Sequence, residues 1–249
     1  MEQFNPFSLQ GKQILVTGAS SGIGKGIAIA CSKMGASIVV NGRNEQRLAE
    51  TVSELSGENH MMLSADLCKE DSVRVMVAKL PKLDGIVHCA GIGQRILCKQ
   101  LQSNDVENVM EVNFKAPVML QTEILKQKKI NKNASIVFLT SIAAESPSIG
   151  NAIYSASKSA LISYSNCLAI EVAPRKIRVN CISPAMVWTD LILQGGVDEE
   201  TLKEDELKYP LKRYGKPEDI ANLAIYLLSE ASSWMTASNV KITGGVLKL

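Results

Sequence analysis

Apolar residues along the chain follow two alternating rhythms, and the alternation predicts a fold before any motif is considered. Continuous β-forming runs recur at Gln13-Ile14-Leu15-Val16, Ser37-Ile38-Val39-Val40, His60-Met61-Met62-Leu63-Ser64-Ala65 and Gly85-Ile86-Val87-His88. Three more follow: Ser135-Ile136-Val137-Phe138-Leu139-Thr140-Ser141, Arg178-Val179-Asn180-Cys181-Ile182-Ser183 and Val240-Lys241-Ile242. Apolar runs without in-and-out alternation are the mark of strands buried on both faces. Between them apolar positions fall three or four apart, as on helices: Ile23, Ile27, Ala30 and Met34, stopped by Gly35; a stretch from about 45 to 55; Val109, Val112, Phe114 and Met119; and 217–228. Another such set is Ala156, Ala160, Leu161, Tyr164, Leu168 and Val172, with no proline before Pro174. Seven strands alternating with helices predict an α/β fold, a single doubly wound Rossmann-type parallel sheet with helices on both faces. From Leu191 to Tyr214 periodicity is poor and charge dense, and a mobile substrate lid is expected at about 190–214.

Composition narrows the class without changing that picture. The 249 residues suit one domain, 1–249, and no Gly/Ser- or Pro-rich linker or internal repeat divides them. Charges nearly cancel, 27 basic against 25 acidic, so there is no global pull toward nucleic acid or an anionic membrane. No apolar run approaches the ~20 residues that span a bilayer. The start, Met1-Glu2-Gln3-Phe4-Asn5-Pro6, lacks the basic and apolar regions of a signal peptide. Six cysteines are scattered with no C-x-x-C or zinc-like spacing, so no metal site is expected and free thiols in a reducing cytosol fit best. A cytoplasmic location follows as the expectation.

Candidate chemistry begins at Thr17-Gly18-Ala19-Ser20-Ser21-Gly22-Ile23-Gly24, between a strand and a helix and followed by a second strand. In that context glycines let backbone approach a pyrophosphate seated on the helix N-terminus; the alternative is an ordinary strand-to-helix turn. The second strand ends Asn41-Gly42-Arg43, with no carboxylate before Glu45 to bind a ribose 2′-hydroxyl. Arg43 offers a guanidinium fork suited to a phosphate, which argues for NADP(H) over NAD(H). Ser21, not a basic residue, precedes Gly22. Tyr154 and Lys158 are four apart and share one helical face. A nearby ammonium favours the phenolate, so the pair reads as a general acid/base with a lowered phenol pKa. On an arbitrary helix the same spacing would be a surface Tyr and a surface Lys.

Taken together, the glycine turn, Cys89-Ala90-Gly91, Asn113, Ser141, Tyr154 and Lys158 resemble the short-chain dehydrogenase/reductase family, from about Gln13 to Gly245. The resemblance implies hydride transfer between a nicotinamide and a carbonyl or secondary alcohol. It makes Tyr154 the proton donor and Ser141 the hydrogen-bond partner of the reacting oxygen. It gives Lys158 the nicotinamide ribose and Asn113 a water linking to Lys158 in a proton relay. The implied cofactor contacts are Gly18, Ser20, Ser21, Gly22, Ile23 and Gly24 of the turn, Arg43, Asp66 and Leu67 beside the adenine, Cys89, Ala90 and Gly91, Tyr154 and Lys158, and then Pro184, Val187 and Thr189 near the carboxamide. Asp66 also reads as an N-cap for a helix starting near Lys69. Cys89 stands where relatives usually have Asn. Ala185 stands where they have Gly, which would strain the turn if positive φ is needed there.

Within the family the chain looks most like the 3-oxoacyl-(acyl-carrier-protein) reductases of fatty acid synthesis. That likeness implies a small-molecule or carrier-protein-bound carbonyl substrate, with Lys132 and Arg175 near the site entrance to meet an acidic carrier. Lys126, Lys128, Lys129 and Lys132 are also read as a solvated helix end. Sugar, polyol and steroid dehydrogenases share every residue named, and a catalytically silent cofactor-binding sensor is the reading from another class. A homodimer or homotetramer is expected, because the helix from Tyr154 carries a second stripe, Ala160, Ser163, Cys167 and Ile170.

Overall fold

The computed structural model describes residues 5–193 and 197–246. Residues 1–4 of the signal-peptide reading and residues 194–196 of the expected lid lie outside them. The chain runs β1 (Gln13–Thr17), α1 (Gly22–Lys33), β2 (Ser37–Gly42), α2 (Glu45–Ser53), β3 (Met61–Ser64), α3 (Glu70–Lys79) and β4 (Leu83–His88). It continues with α4 (Ser103–Met110), a π-helical turn (Glu111–Lys115), α5 (Ala116–Lys126), β5 (Ile130–Leu139), α6 (Ala152–Val172) and β6 (Arg178–Pro184). α7 (Asp190–Leu193), α8 (Glu199–Glu206), α9 (Pro217–Leu228) and β7 (Ser238–Ile242) complete it.

All seven strands join one sheet in the order β3-β2-β1-β4-β5-β6-β7, every pairing parallel. The reason for the uninterrupted apolar runs is visible in how each strand divides its side chains. Ile14, Val16, Ile38, Val40, Val87 and Val137 enter the core beneath α1 and α9, whereas Leu15, Val39, Ile86, Ile136 and Phe138 enter the core beneath α3, α5 and α6. Successive side chains on a strand point to opposite faces, so both sets must be apolar. Sequence order reverses across the sheet between β1 and β4, and a crevice opens beyond the carboxyl ends of strands at such a point. Among the described residues no helix is long and apolar enough to cross a membrane.

Two helices differ from the periodicity-based expectation. Of the helix positions expected to be buried, Val109 is, but Val112, Phe114 and Met119 are only partly covered, and Asn113, Ala116, Pro117, Leu120 and Ile124 take the inner face. The π-turn over Glu111–Lys115 shifts the face, and a polar residue, Asn113, occupies the centre of the buried stripe. On α6 the buried face likewise includes Ser155, Ser157, Lys158 and Ser165, while Ala156 is exposed. The charged stretch 197–214 packs around a small core of Leu202, Tyr209 and Tyr214. Its acidic residues are held there: Trp188 Nε1 donates to Glu206 Oε2 (2.8 Å) and the Tyr214 hydroxyl donates to Asp205 Oδ2 (2.7 Å).

Candidate active site

A cavity of about 390 Å³ opens at the carboxyl ends of β1, β2, β4, β5 and β6. Its wall includes Gly18, Ser20, Ser21, Gly22, Ile23 and Gly24 from the glycine turn, Arg43 after β2, Asp66 and Leu67 after β3, and Cys89, Ala90 and Gly91 after β4. Tyr154, Lys158, Pro184 and Thr189 close it from the other side. Val187 is the exception among the expected cofactor contacts. Its side chain is buried in the core beneath α1 and α9, and it bridges to Gly215 rather than facing the cavity.

The glycine turn is open because backbone must pass through it. A Cβ on Gly18, whose φ is +64°, would sit 2.8 Å from Ala90 Cα, so no side chain fits between the ends of β1 and β4. Thr17, unremarked in the sequence, holds those ends together: its hydroxyl accepts from the N–H groups of Cys89 (3.0 Å) and Ala90 (3.2 Å). Gly91 is a second close approach, where a Cβ would lie 3.1 Å from Asn113 Oδ1 and 3.4 Å from Lys158 Nζ.

Ser141, Tyr154 and Lys158 converge at the end of β5. Ser141 begins a 3₁₀ turn, its Oγ accepting from Ala143 N (3.1 Å), and its side chain hydrogen-bonds Tyr154. Lys158 Nζ donates to Leu139 O (3.0 Å) and lies 5.7 Å from the centre of the Tyr154 ring. Burial pushes the Lys158 ammonium down to about 8. Tyr154 departs from expectation: burial raises its phenol, the Ser141 hydrogen bond only partly offsetting this. The reason is that an apolar surrounding disfavours the charged phenolate, and the loss of solvent outweighs the single hydrogen bond from the neighbouring serine.

Asn113 is wholly buried and both ends of its amide are occupied: Oδ1 accepts from Ile92 N (2.8 Å), and Nδ2 donates to Ile92 O (2.9 Å) and Ser157 Oγ (3.2 Å). Its side chain therefore fastens the segment after β4 to α6. The cysteine at 89 supplies no charge, since burial holds its thiol up at about 12. Ala185 is not among the described residues with positive φ, so the strain considered for that turn does not arise. Asp66 does not cap α3, which has Lys69 at that position; instead its Oδ1 accepts from Cys68 N (3.1 Å) in the turn before the helix.

The two basic residues expected at the entrance are elsewhere. Lys132 stands near the start of β5, whose opposite end, at Leu139, lines the cavity. Arg175 donates to Ile130 O (2.6 Å), also at the start of β5. Within this chain both lie at the amino end of the sheet, opposite the cavity. Lys129 is committed too, donating to Ala78 O (2.9 Å) and Leu80 O (2.7 Å) at the end of α3, as a helix C-terminus favours. His88 likewise stays structural: Nε2 meets Gln121 Oε1 (3.0 Å), the ring stacks on Phe138, and burial lowers its pKa to about 4. Sequence reasoning passed over Arg47 and Asp190, which also line the cavity. Only their spacing to Arg43 and Thr189 could have drawn attention to them.

The residues present fit a dinucleotide. A cavity entered over bare backbone at Gly18 and Gly91, with an arginine beyond β2 and an acid/base pair at the far side, accommodates a long anionic ligand. Comparison with known proteins agrees. A family model described as enoyl-(acyl carrier protein) reductase matches residues 18–247. The chain is 35% identical over 239 residues to 3-oxoacyl-(acyl-carrier-protein) reductase of Rickettsia bellii, covering 96% of this chain and 98% of that one. It is 34% identical over 247 residues to human dehydrogenase/reductase SDR family member 4, covering 95% and 88%. A solved short-chain glucose/ribitol dehydrogenase from Brucella melitensis superposes with a TM-score of 0.91 at 28% identity, over 98% of this chain and all of the other.

Proposed function

This chain belongs to the short-chain dehydrogenase/reductase family of oxidoreductases, and from that premise we propose that it reduces a 3-oxoacyl thioester, free or carrier-bound, with NADPH. The observation that supports the reading is the meeting of Ser141, Tyr154 and Lys158 at one end of a cavity whose other end holds Arg43. NADPH, when bound, supplies the hydride; the chain supplies position, charge and the proton. Tyr154, kept protonated by burial, is the acid that delivers a proton to the carbonyl oxygen as negative charge develops there. Ser141 orients the same oxygen through its hydroxyl. Lys158, titrating near 8, is mostly cationic at neutral pH and stabilises the phenolate that Tyr154 becomes. Asn113, by holding Ile92 and Ser157, keeps that wall of the cavity in register with α6.

Arg43 is exposed on the wall where the adenosine half would rest, and supports NADP(H) over NAD(H) through charge-assisted bonds to a 2′-phosphate. The same reading makes the protein a cytoplasmic homodimer or homotetramer. Ser163, Cys167 and Ile170 of α6 lie uncovered in one chain, Ile170 being 75% exposed. The test is a screen of NADPH oxidation with 3-oxoacyl, 2-enoyl, sugar, polyol and steroid substrates. Turnover highest on 3-oxoacyl thioesters supports the proposal, and turnover confined to sugars, polyols or steroids rejects the substrate class.

A further inference from the structure

Arg47 and Asp190 face each other across the cavity. Arg47 comes from the first turn of α2, beyond β2; Asp190 opens α7, beyond β6. Arg47 Nη1 lies 3.6 Å from Asp190 Oδ2, and the two side chains are 52% and 56% exposed. The backbone beneath Arg47 is fastened to the glycine turn. Its N–H donates to Asn44 Oδ1 (3.0 Å), and Thr51, one helical turn on, donates to Ala19 O (2.9 Å). Arg47 thus has a set position above the turn and a guanidinium free to change partner.

Its present partner holds it weakly. A half-exposed, single-contact ion pair contributes about 0–1 kcal/mol and is screened by salt. A phosphate monoester carries about −1.5 to −2 charges at pH 7 and presents oxygens that an arginine fork can meet in pairs. Arg43, four residues earlier, lines the same wall. A phosphate within reach of Arg47 would compete with the Asp190 carboxylate for it, with more charge and more acceptor oxygens than a ribose hydroxyl offers.

Resting on the NADP(H) reading above, we propose that Arg47 is a second ligand of the cofactor's 2′-phosphate, beside Arg43, and that Asp190 competes with the phosphate for it. Nucleotides without a 2′-phosphate leave the Arg47–Asp190 pair intact. The pair therefore acts on selectivity between the two cofactors rather than on dinucleotide binding in general.

The test uses calorimetric titration of the whole chain with adenosine 2′,5′-bisphosphate and with 5′-AMP, neither of which can turn over. Arg47→Ala is expected to weaken the bisphosphate by about tenfold or more, on the scale of one charge-assisted bond, and to leave 5′-AMP within about twofold. Asp190→Asn is expected to tighten the bisphosphate by roughly threefold or more, within the range of a released surface pair, and to do nothing in an Arg47→Ala background. Equal effects of Arg47→Ala on both ligands, or none, overturn the assignment of Arg47. Tightening by Asp190→Asn that persists without Arg47 overturns the competition, because the carboxylate would then be acting by repulsion alone. Arg43→Ala separates the two levels. If the wild type does not prefer the bisphosphate, or Arg43→Ala leaves its preference unchanged, the NADP(H) reading itself fails. If Arg43→Ala abolishes the preference while Arg47→Ala spares it, only the role of Arg47 is lost.

Discussion

Replacing Lys158 with methionine should make the cofactor-free protein more stable while abolishing its activity. Methionine fills much the same volume without a charge, at a position only 5% exposed. The ammonium's pKa is about 8 in the folded chain against an ordinary lysine value of 10.5. At about 1.36 kcal/mol per unit, holding the charge inside costs about 3 kcal/mol. The folded value is the lower one, so this penalty is complete below pH 8, fades as pH rises through 8 to 10.5, and is gone above. Methionine also leaves Leu139 O without its 3.0 Å donor, a loss of about 1 kcal/mol. The net expectation is a gain of about 2 kcal/mol at pH 7 that shrinks and changes sign toward pH 10.5. Urea denaturation of both proteins at pH 7 and pH 10 measures it; the difference between them cancels the other groups that titrate in alkali. Destabilisation of the mutant at pH 7, or a pH-independent difference, would refute the claim that Lys158 is held against its preference for function's sake.

Gly91→Ala should leave the fold intact yet reduce turnover, since its Cβ would press on Asn113 Oδ1 at 3.1 Å and Lys158 Nζ at 3.4 Å; wild-type kinetics in the variant would show that neither group needs its present place. Stability should fall as pH drops from 6.5 toward 4 by about 3 kcal/mol from His88, whose folded pKa of about 4 lies below the ordinary histidine value of 6.5, so that only the unfolded chain takes up the proton. A stability curve for His88→Leu that falls just as steeply over that window would contradict this. Light scattering at micromolar concentration should give at least twice the 26.9 kDa chain mass, and a monomer would remove the proposed pairing of α6 faces.

The fold was legible because a parallel sheet buried on both faces demands apolar runs that nothing else in a chain of this kind requires. Six of the seven expected runs both begin and end within three residues of their strands; β5 starts five residues earlier, at Ile130, since Asn131, Lys132 and Asn133 carry no apolar signal. The catalytic end of the site was legible through residue types at fixed spacing. What escaped was whatever depends on polar residues turned inward. Asn113 at the centre of a buried stripe, Thr17 accepting two N–H groups and Lys158 losing its solvation are invisible to a periodicity built on apolar side chains. Charge positions were the least legible. Lys132 and Arg175 share a sign and a neighbourhood with the expected docking residues, but only strand direction reveals that they sit at the wrong end of the sheet.

The most direct test of the account follows NADPH oxidation in the presence of a 3-oxoacyl thioester, comparing wild type with Tyr154→Phe at saturating cofactor. The substitution removes one hydroxyl and the proton it carries, leaving Lys158, Ser141 and the glycine turn in place. Turnover should fall by a factor of about 100 or more, the scale of a positioned acid, while the affinity for NADPH stays near that of the wild type. A mutant with near-normal kcat would contradict the assignment of Tyr154 as the proton donor and, with it, the mechanism proposed for this site.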